Sequence, residues 1–320
     1  MDRRDVATAP GRKPARGGRG RVLAALAVPA ACLLLFHGLV PNPAGRPGSL
    51  VETFLPWLGL AVPALLGPAL LRRSATAAYA ALLPAGAWLG LFGGFLLPGE
   101  DRAPDLLVLQ HNVSDENPDP AGTARALDAA GADLIALEEL TPSAAPAYSA
   151  AFAAHYPYHA VEGTVGLWSR HPLEQVRPVD IRPQGVGEGW NRGLRATART
   201  PHGDTAVYVA HLPSVRLGPA GFRSERRDRS AALLGAAIAA EPVDRVILLG
   251  DLNGTVDDRG LDPVLSRTGA PAPDFAFSWP AALPVARIDQ VLTRSATVTR
   301  VRALPATGSD HLPVAARISF

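Results

Sequence analysis

Val246-Ile247-Leu248-Leu249-Gly250-Asp251-Leu252-Asn253 decides the reading of this chain. A short apolar run of β type leads into Gly250-Asp251-Leu252-Asn253, which closes it. The same design recurs on either side. Leu107-Val108-Leu109-Gln110-His111-Asn112, Leu134-Ile135-Ala136-Leu137-Glu138-Glu139 and Val207-Tyr208-Val209-Ala210-His211 each run from apolar into polar residues. Arg287-Ile288-Asp289-Gln290 follows Val285, and Ser309-Asp310-His311 precedes Leu312-Pro313-Val314. Carboxylates, amides and imidazoles thus collect at strand ends, where rigid backbone can aim them at one point.

Working outward, strands are expected at Asp105–Gln110, Asp133–Leu137, Val165–Ser169, Leu194–Thr197, Thr205–Ala210, Val243–Leu249, Ala286–Leu292, Thr297–Val301 and Pro313–Ser319. Helices are expected at Ala121–Ala130 and Ala220–Ala240. Hairpin neighbours mixed with crossover helices argue an α/β layered sandwich. Two segments read as loops over the strand ends: Arg182 to Asn191, with three glycines and Trp190, and Asn253 to Pro284, with Phe275, Phe277 and Trp279.

The order Asn112, Glu139, His211, Asp251-x-Asn253, Asp289, Asp310-His311 resembles the endonuclease/exonuclease/phosphatase superfamily. The resemblance implies two packed mixed β-sheets flanked by helices and a divalent metal that helps cleave phosphate esters. Hard cations such as Mg2+ or Mn2+ take oxygen ligands. Glu139 is then the first metal ligand, with Asn112 and Asp310 completing an inner or water-mediated shell. Where the family has glutamine before its glutamate, this chain has Glu138; strand alternation would send Glu138 to the other face. His311 fits the catalytic histidine, as general base or as phosphate-stabilising cation, and Asp289 the aspartate that orients it. His211 would donate to a phosphoryl oxygen or assist the leaving group. Asp251 would hold water or metal, and Asn253 would donate to a phosphate oxygen. No Walker-type glycine loop and no Cys/His zinc spacing occurs, and Ser214 and Ser230 lack a triad setting.

Three long uncharged runs precede residue 100: Val22 to Val40, Thr53 to Leu71 and Ala75 to Pro98. Each approaches the ~20 residues of a membrane-crossing helix, and membrane helices tolerate prolines such as Pro29, Pro63, Pro68 and Pro84. The expected organisation is a basic cytoplasmic tail over 1–21, a three-helix membrane anchor over 22–98 and a catalytic domain over 105–320. Arg3, Arg4, Arg12, Lys13, Arg16, Arg19 and Arg21 in the tail and Arg72-Arg73 between the later runs place both on the cytoplasmic side. The catalytic domain is then extracellular; a cleaved first span leaves that outcome unchanged. Cys32 is the single cysteine, so no intrachain disulfide forms.

Of the 31 basic residues 21 follow residue 100, and of the 29 acidic residues 25 do, a net charge near −4. Binders of long polyanions carry a basic footprint, so nucleic acid is disfavoured as a partner. A local groove of Arg192, Arg195, Arg223, Arg226 and Arg227 would be the exception, and a surface-tethered nuclease or other phosphodiesterase is the alternative reading. The architecture of spans followed by such a domain resembles the VanJ-type membrane proteins. That resemblance implies hydrolysis of a phosphate ester or pyrophosphate bond on a lipid-linked cell-envelope substrate.

Overall fold

The computed structural model describes residues 20–97 and 103–320; most of the basic tail and link residues 98–102 lie outside the described residues. The described residues fall into two compact units, one within Met1–Phe36 and Pro56–Leu91, the other within His37–Leu55 and Phe92–Phe320. The helices before the sandwich are α1 (Arg21–Leu35), α2 (Pro47–Thr53), α3 (Ala61–Leu71), α4 (Ala75–Ala80) and α5 (Leu82–Phe92). Among the described helices one, Ala75–Leu96, is long and apolar enough to cross a membrane. Pro47–Thr53 and Leu55–Leu71 pass the same test only as a bent pair. Three separate spans are therefore not seen. The run Val22–Val40 is helical for 15 residues, short of the ~20 a crossing takes. The run from Thr53 breaks at Phe54 and continues as a 3-10 turn over Leu55–Leu60. A hydropathy run counts apolar residues; it does not register where proline and glycine interrupt the helix. In the first unit Leu35, Leu70, Leu71, Tyr79 and Leu82 stay exposed, so its outward face is apolar.

The second unit is an α/β sandwich. Its strands are β1 (Leu106–Asn112), β2 (Leu134–Glu138), β3 (Tyr158–Glu162), β4 (Val165–Ser169), β5 (Leu173–Pro178), β6 (Gly193–Thr200), β7 (Gly203–Ala210), β8 (Arg216–Gly218), β9 (Gly221–Arg223), β10 (Val246–Asp251), β11 (Asp289–Arg294), β12 (Thr297–Ala303) and β13 (Val314–Ser319). One sheet has six strands in the order β12-β13-β1-β2-β4-β3, the other five in the order β11-β10-β7-β6-β5. Both are mixed: β1 runs parallel to β2 and β10 to β7, while the other pairings are antiparallel. Helices α6 (Pro120–Asp128) and α7 (Ala145–Phe152) contribute Leu127, Tyr148 and Phe152 to an apolar layer on the first sheet. Helix α8 (Glu225–Ala239), with the short α9 (Asp262–Leu265), contributes Leu234, Ile238 and Val264 to one on the second.

Alternation explains the layers. In β10, Ile247 and Leu249 join the core between the sheets, while Val246 and Leu248 join the layer with α8. A strand covered on both faces is apolar throughout, which is what the run 246–249 spells. In β2, likewise, Leu134 and Ala136 face the inter-sheet core and Ile135 and Leu137 face α6 and α7. The expected helix Ala220–Ala240 begins only at Glu225, because Gly221–Arg223 pairs with Arg216–Gly218 as a hairpin. β3 and β5 are not among the expected strands; they are mostly exposed edge strands and carry no apolar pattern.

Candidate active site

The parallel pairs β1/β2 and β7/β10 end at the same edge of the sandwich, and the antiparallel β11 and β13 begin there. That topology brings Asn112, Glu138, Glu139, His211, Asp251, Asp289 and His311 together. Gly250 permits it: a Cβ there would collide with the Ala210 carbonyl, so only glycine lets β10 close on β7 just before Asp251. Ser309 Oγ donates to the Asn112 carbonyl at 2.6 Å, and the His311 N–H donates to Ser309 Oγ at 3.0 Å, which ties the His311 loop to the end of β1. His111, fully buried, reaches Thr307 Oγ1 at 2.9 Å through Nε2 and supports the same loop.

Asp289 is committed to orientation. His311 Nδ1 lies 2.9 Å from its Oδ2, which also accepts from Ser278 Oγ, and Gln110 Nε2 donates to Oδ1 at 2.6 Å. With these bonds made, Asp289 serves the imidazole rather than an ion, although Asp251, Asp289 and His311 approach closely enough to form a three-ligand group. Burial opposes charge on His311, but Asp289 and Asp251 outweigh it and lift its pKa to about 10. His211 is the opposite case. Complete burial, with Arg192 and His311 nearby, pushes its pKa well below the ordinary value, so this ring is neutral. Its Nε2 lies 3.6 Å from Asp251 Oδ2 and 3.7 Å from Glu139 Oε1, and Arg192 Nη1 lies 3.2 Å from Nδ1.

Asp251 sits at the centre. Asn112 Nδ2 donates to Oδ2 at 3.1 Å, the Asn253 N–H donates to Oδ1 at 2.9 Å, and His311 Nε2 lies 3.8 Å from Oδ2. Burial raises its pKa to about 7, with His311 pulling the other way and Asp289 adding to the rise. Asn253, left-handed at φ 48°, donates its side-chain amide to the Leu212 carbonyl at 2.9 Å and to Asp251 Oδ2 at 3.3 Å. These bonds hold Asp251 in place, so in this arrangement Asn253 orients a carboxylate instead of offering a free donor to phosphate.

Glu138 and Glu139 both belong to the site. Glu138 is in register with Asn112 and shares its face, so alternation does not carry it away. It is fully buried, both carboxylate oxygens lack a hydrogen-bond partner, and burial, with Asp289 and Asp251 near, pushes its pKa well above the usual range. Glu139 leaves the strand in the left-handed region at φ 55°, which turns it back toward His211. Backbone strain of this kind at Glu139 and Asn253 marks positions held by their surroundings. Asp310 is exposed and lines the mouth of the pocket.

This donor set fits a divalent cation. Glu138, Glu139, Asp251 and Asp310, with Asp289 already bound to His311, gather about the cationic groups His311 and Arg192 among the described residues. Buried carboxyls pushed upward and unpartnered oxygens on Glu138 are what an oxygen-rich site shows when its positive charge is incomplete. The sequence picks out the residues at strand ends but not the support. Gln110, Ser278 and His111 carry no motif, and only their burial beside Asp289 or Thr307 reveals what they hold.

A pocket of about 230 Å³ opens on Glu139, Asp251, Asn253, Asp310 and His311. Beside it, sharing Ser214, lies a groove of about 600 Å³ lined by Arg192, Arg216, Arg223, Arg226 and Arg229. Two arginines assigned to that groove from sequence are elsewhere: Arg195 is buried against Glu241 and Arg227 against Asp258. Of the loop aromatics, Trp279 lines the pocket, while Phe275 packs at a tilt against Phe277, Phe92 and Phe95.

The sandwich of two mixed sheets thus gathers carboxylates, amides and an imidazole–carboxylate pair at one edge. Residues 109–311 match the model of the Endonuclease/Exonuclease/phosphatase family, and the chain belongs to that family. Its fold is similar to that of sphingomyelinase C from Streptomyces griseocarneus, 22% identical, with 69% of this chain and 99% of that one covered and a TM-score of 0.52. A Staphylococcus aureus beta toxin variant with bound magnesium ions is 15% identical, covering 67% and 99% of the two chains at a TM-score of 0.52. The mannosyl-6-phosphatase of Bacteroides thetaiotaomicron is 16% identical, covering 67% and 100%, also at 0.52. A search of curated proteins finds no match.

Proposed function

We propose that this protein is a membrane-anchored, divalent-metal-dependent hydrolase of phosphate ester or pyrophosphate bonds. We take its substrate to be lipid-linked, in the cell envelope outside the cytoplasmic membrane, as the VanJ-type resemblance implies. The observation that carries the chemistry is the pairing of His311 with Asp289 beside a carboxylate cluster short of positive charge. Mg2+ or Mn2+ would be held by Glu139, Asn112 and Asp310, with Asp251 and Glu138 adjoining. The ion supplies Lewis-acid stabilisation of charge on phosphoryl oxygen.

The chain's own groups do the rest. Asp289 holds Nδ1 of His311 and leaves Nε2 facing the pocket. Charged, that nitrogen donates to a phosphoryl oxygen; neutral, it accepts the proton of an attacking water. His211, kept neutral by burial, donates to phosphoryl or leaving-group oxygen without adding charge. Asn112 and Asn253 fix Asp251 between the two rings.

The anchor reading rests on the apolar helix Ala75–Leu96 and on the exposed leucines of the first unit. Three spans, a cytoplasmic N-terminus and an extracellular catalytic domain complete the proposal. A tether confines enzyme and lipid substrate to one two-dimensional phase and raises local concentration. The five-arginine groove is the observation that favours a second reading, a tethered nuclease or other phosphodiesterase. Detergent-purified protein with Mg2+, assayed on undecaprenyl pyrophosphate, plasmid DNA and sphingomyelin, decides between them. Cleavage of DNA alone would replace the lipid reading with the nuclease one.

A further inference from the structure

The segment before the sandwich does more than connect. Helix α2 is clamped to the catalytic unit through Glu52, which is 2% exposed. Arg259 Nε donates to Glu52 Oε2 at 2.8 Å and Nη2 donates to Oε1 at 2.6 Å. The same guanidinium spends its remaining donors on carbonyls of this segment, Val40 at 3.0 Å and His37 at 3.1 Å. Next to Glu52, Thr53 Oγ1 donates to Asp258 Oδ2 at 3.4 Å. Asp258 also accepts from Arg227 Nη2 at 2.6 Å, and Arg227 Nη1 donates to the Asn253 carbonyl at 2.9 Å. A set of buried and part-buried polar contacts therefore runs from α2 to the segment that carries Asp251.

The consequence is at the pocket. Thr53 and Phe54 line it together with Glu139, Asp251 and His311. Phe54 is half-buried, and it shares the pocket with Phe222, Trp279 and Ile288. The cavity thus combines polar lining residues with apolar ones. The arginine-lined groove shares Ser214 with this pocket, and its arginines are not among the pocket's lining residues.

We propose that Phe54, positioned by the Glu52–Arg259 clamp, is a specificity-determining wall of the active site that accepts an apolar chain carried on the phosphate. This deepens the hydrolase reading above and rests on it. A phosphoester whose substituent is a long apolar chain gains by leaving water against this wall; one whose substituent is a methyl group gains little. A catalytic unit lacking residues 37–55 would lose Phe54 from this lining.

The test uses the full chain in detergent with Mg2+ and two synthetic diesters, 4-nitrophenyl octyl phosphate and 4-nitrophenyl methyl phosphate. The readout is the octyl-to-methyl ratio of kcat/KM. In the unmodified protein the ratio is about tenfold or more, from a few methylenes buried at the wall. Phe54→Ala lowers the ratio about tenfold, and Phe54→Leu, which keeps an apolar group there, restores most of it. Glu52→Gln, which weakens the clamp without touching the pocket, lowers the ratio in the same direction. An octyl preference that survives Phe54→Ala, or a loss equal on both esters, overturns the proposal. If the Phe54-dependent preference is found but undecaprenyl pyrophosphate is not cleaved, the wall stands and the lipid-linked envelope substrate is what falls.

Discussion

Replacing Asp289 by asparagine tests the centre most sharply. The exchange keeps size and leaves one oxygen for the Gln110 amide, but the neutral amide no longer balances the charge of His311 across the 2.9 Å contact. Lifting His311 from 6.5 to about 10 corresponds to roughly 5 kcal/mol, at ~1.4 kcal/mol per tenfold. Burial opposes that rise and Asp251 and Asp310 share it, while Asp289 is the largest charge and the only hydrogen-bonded one. Losing part of that stabilisation of the charged ring should cost at least roughly 10²-fold in turnover. Loss of the correct tautomer extends this toward ~10⁴. The assay is hydrolysis of 4-nitrophenyl methyl phosphate with saturating Mg2+ across pH 5 to 10. Removing the carboxylate lowers the His311 pKa, so the limb of the profile that reports it moves to lower pH. Asp289→Asn and His311→Gln should each cost about as much as the double variant, because they disable one unit. Losses that add in log rate, or an Asp289→Asn rate within about threefold of the unmodified protein, refute the coupling.

Chelation should abolish hydrolysis and added Mg2+ or Mn2+ restore it, while Glu139→Ala should lose activity with an unchanged circular dichroism spectrum; full turnover in excess chelator would end the metal assignment. The buried Arg195–Glu241 pair makes a pH prediction. Burial opposes ionisation of Glu241, but the hydrogen bonds from Arg195 and Tyr208 outweigh it and hold its pKa at about 2 against an ordinary 4.5. A depressed folded pKa stabilises above the unfolded value, and that stability is lost as pH falls from about 4.5 through about 2. Glu241→Gln should therefore cost roughly 2–3 kcal/mol at pH 7 and much less near pH 2, read from chemical unfolding of the full chain; an equal cost at both pH values would refute it. For topology, an export-dependent reporter fused after Phe320 should be active and one fused after Arg73 inactive, and the reverse pattern would invert the orientation.

The local order of residues was enough to point to the family, which the match over residues 109–311 bears out. An apolar run ending in Gly250-Asp251-Leu252-Asn253 reads as a covered strand with polar groups at its tip, and several such tips in family order imply one site. Strands that bury both faces declare themselves because every position is apolar; β3 and β5, at the sheet edges, do not, since water accepts whatever faces it. What needed the tertiary structure was everything set by contacts distant in sequence. Alternation along one strand places Glu138 away from the site, yet its register with Asn112 and the left-handed turn at Glu139 bring both carboxylates in. Gln110 and Ser278 become the supports of Asp289 only when the β1 edge and the loop before β11 meet. Arg195 and Arg227 look like any surface arginines in a sequence, and only burial against Glu241 and Asp258 removes them from the groove. Phe54 lies far from every motif. It sits at the pocket beside Glu52, whose part-buried ion pair with Arg259 joins residues 207 positions apart. A side chain's type fixes which bonds it can make, and the fold decides which partner is there to make them.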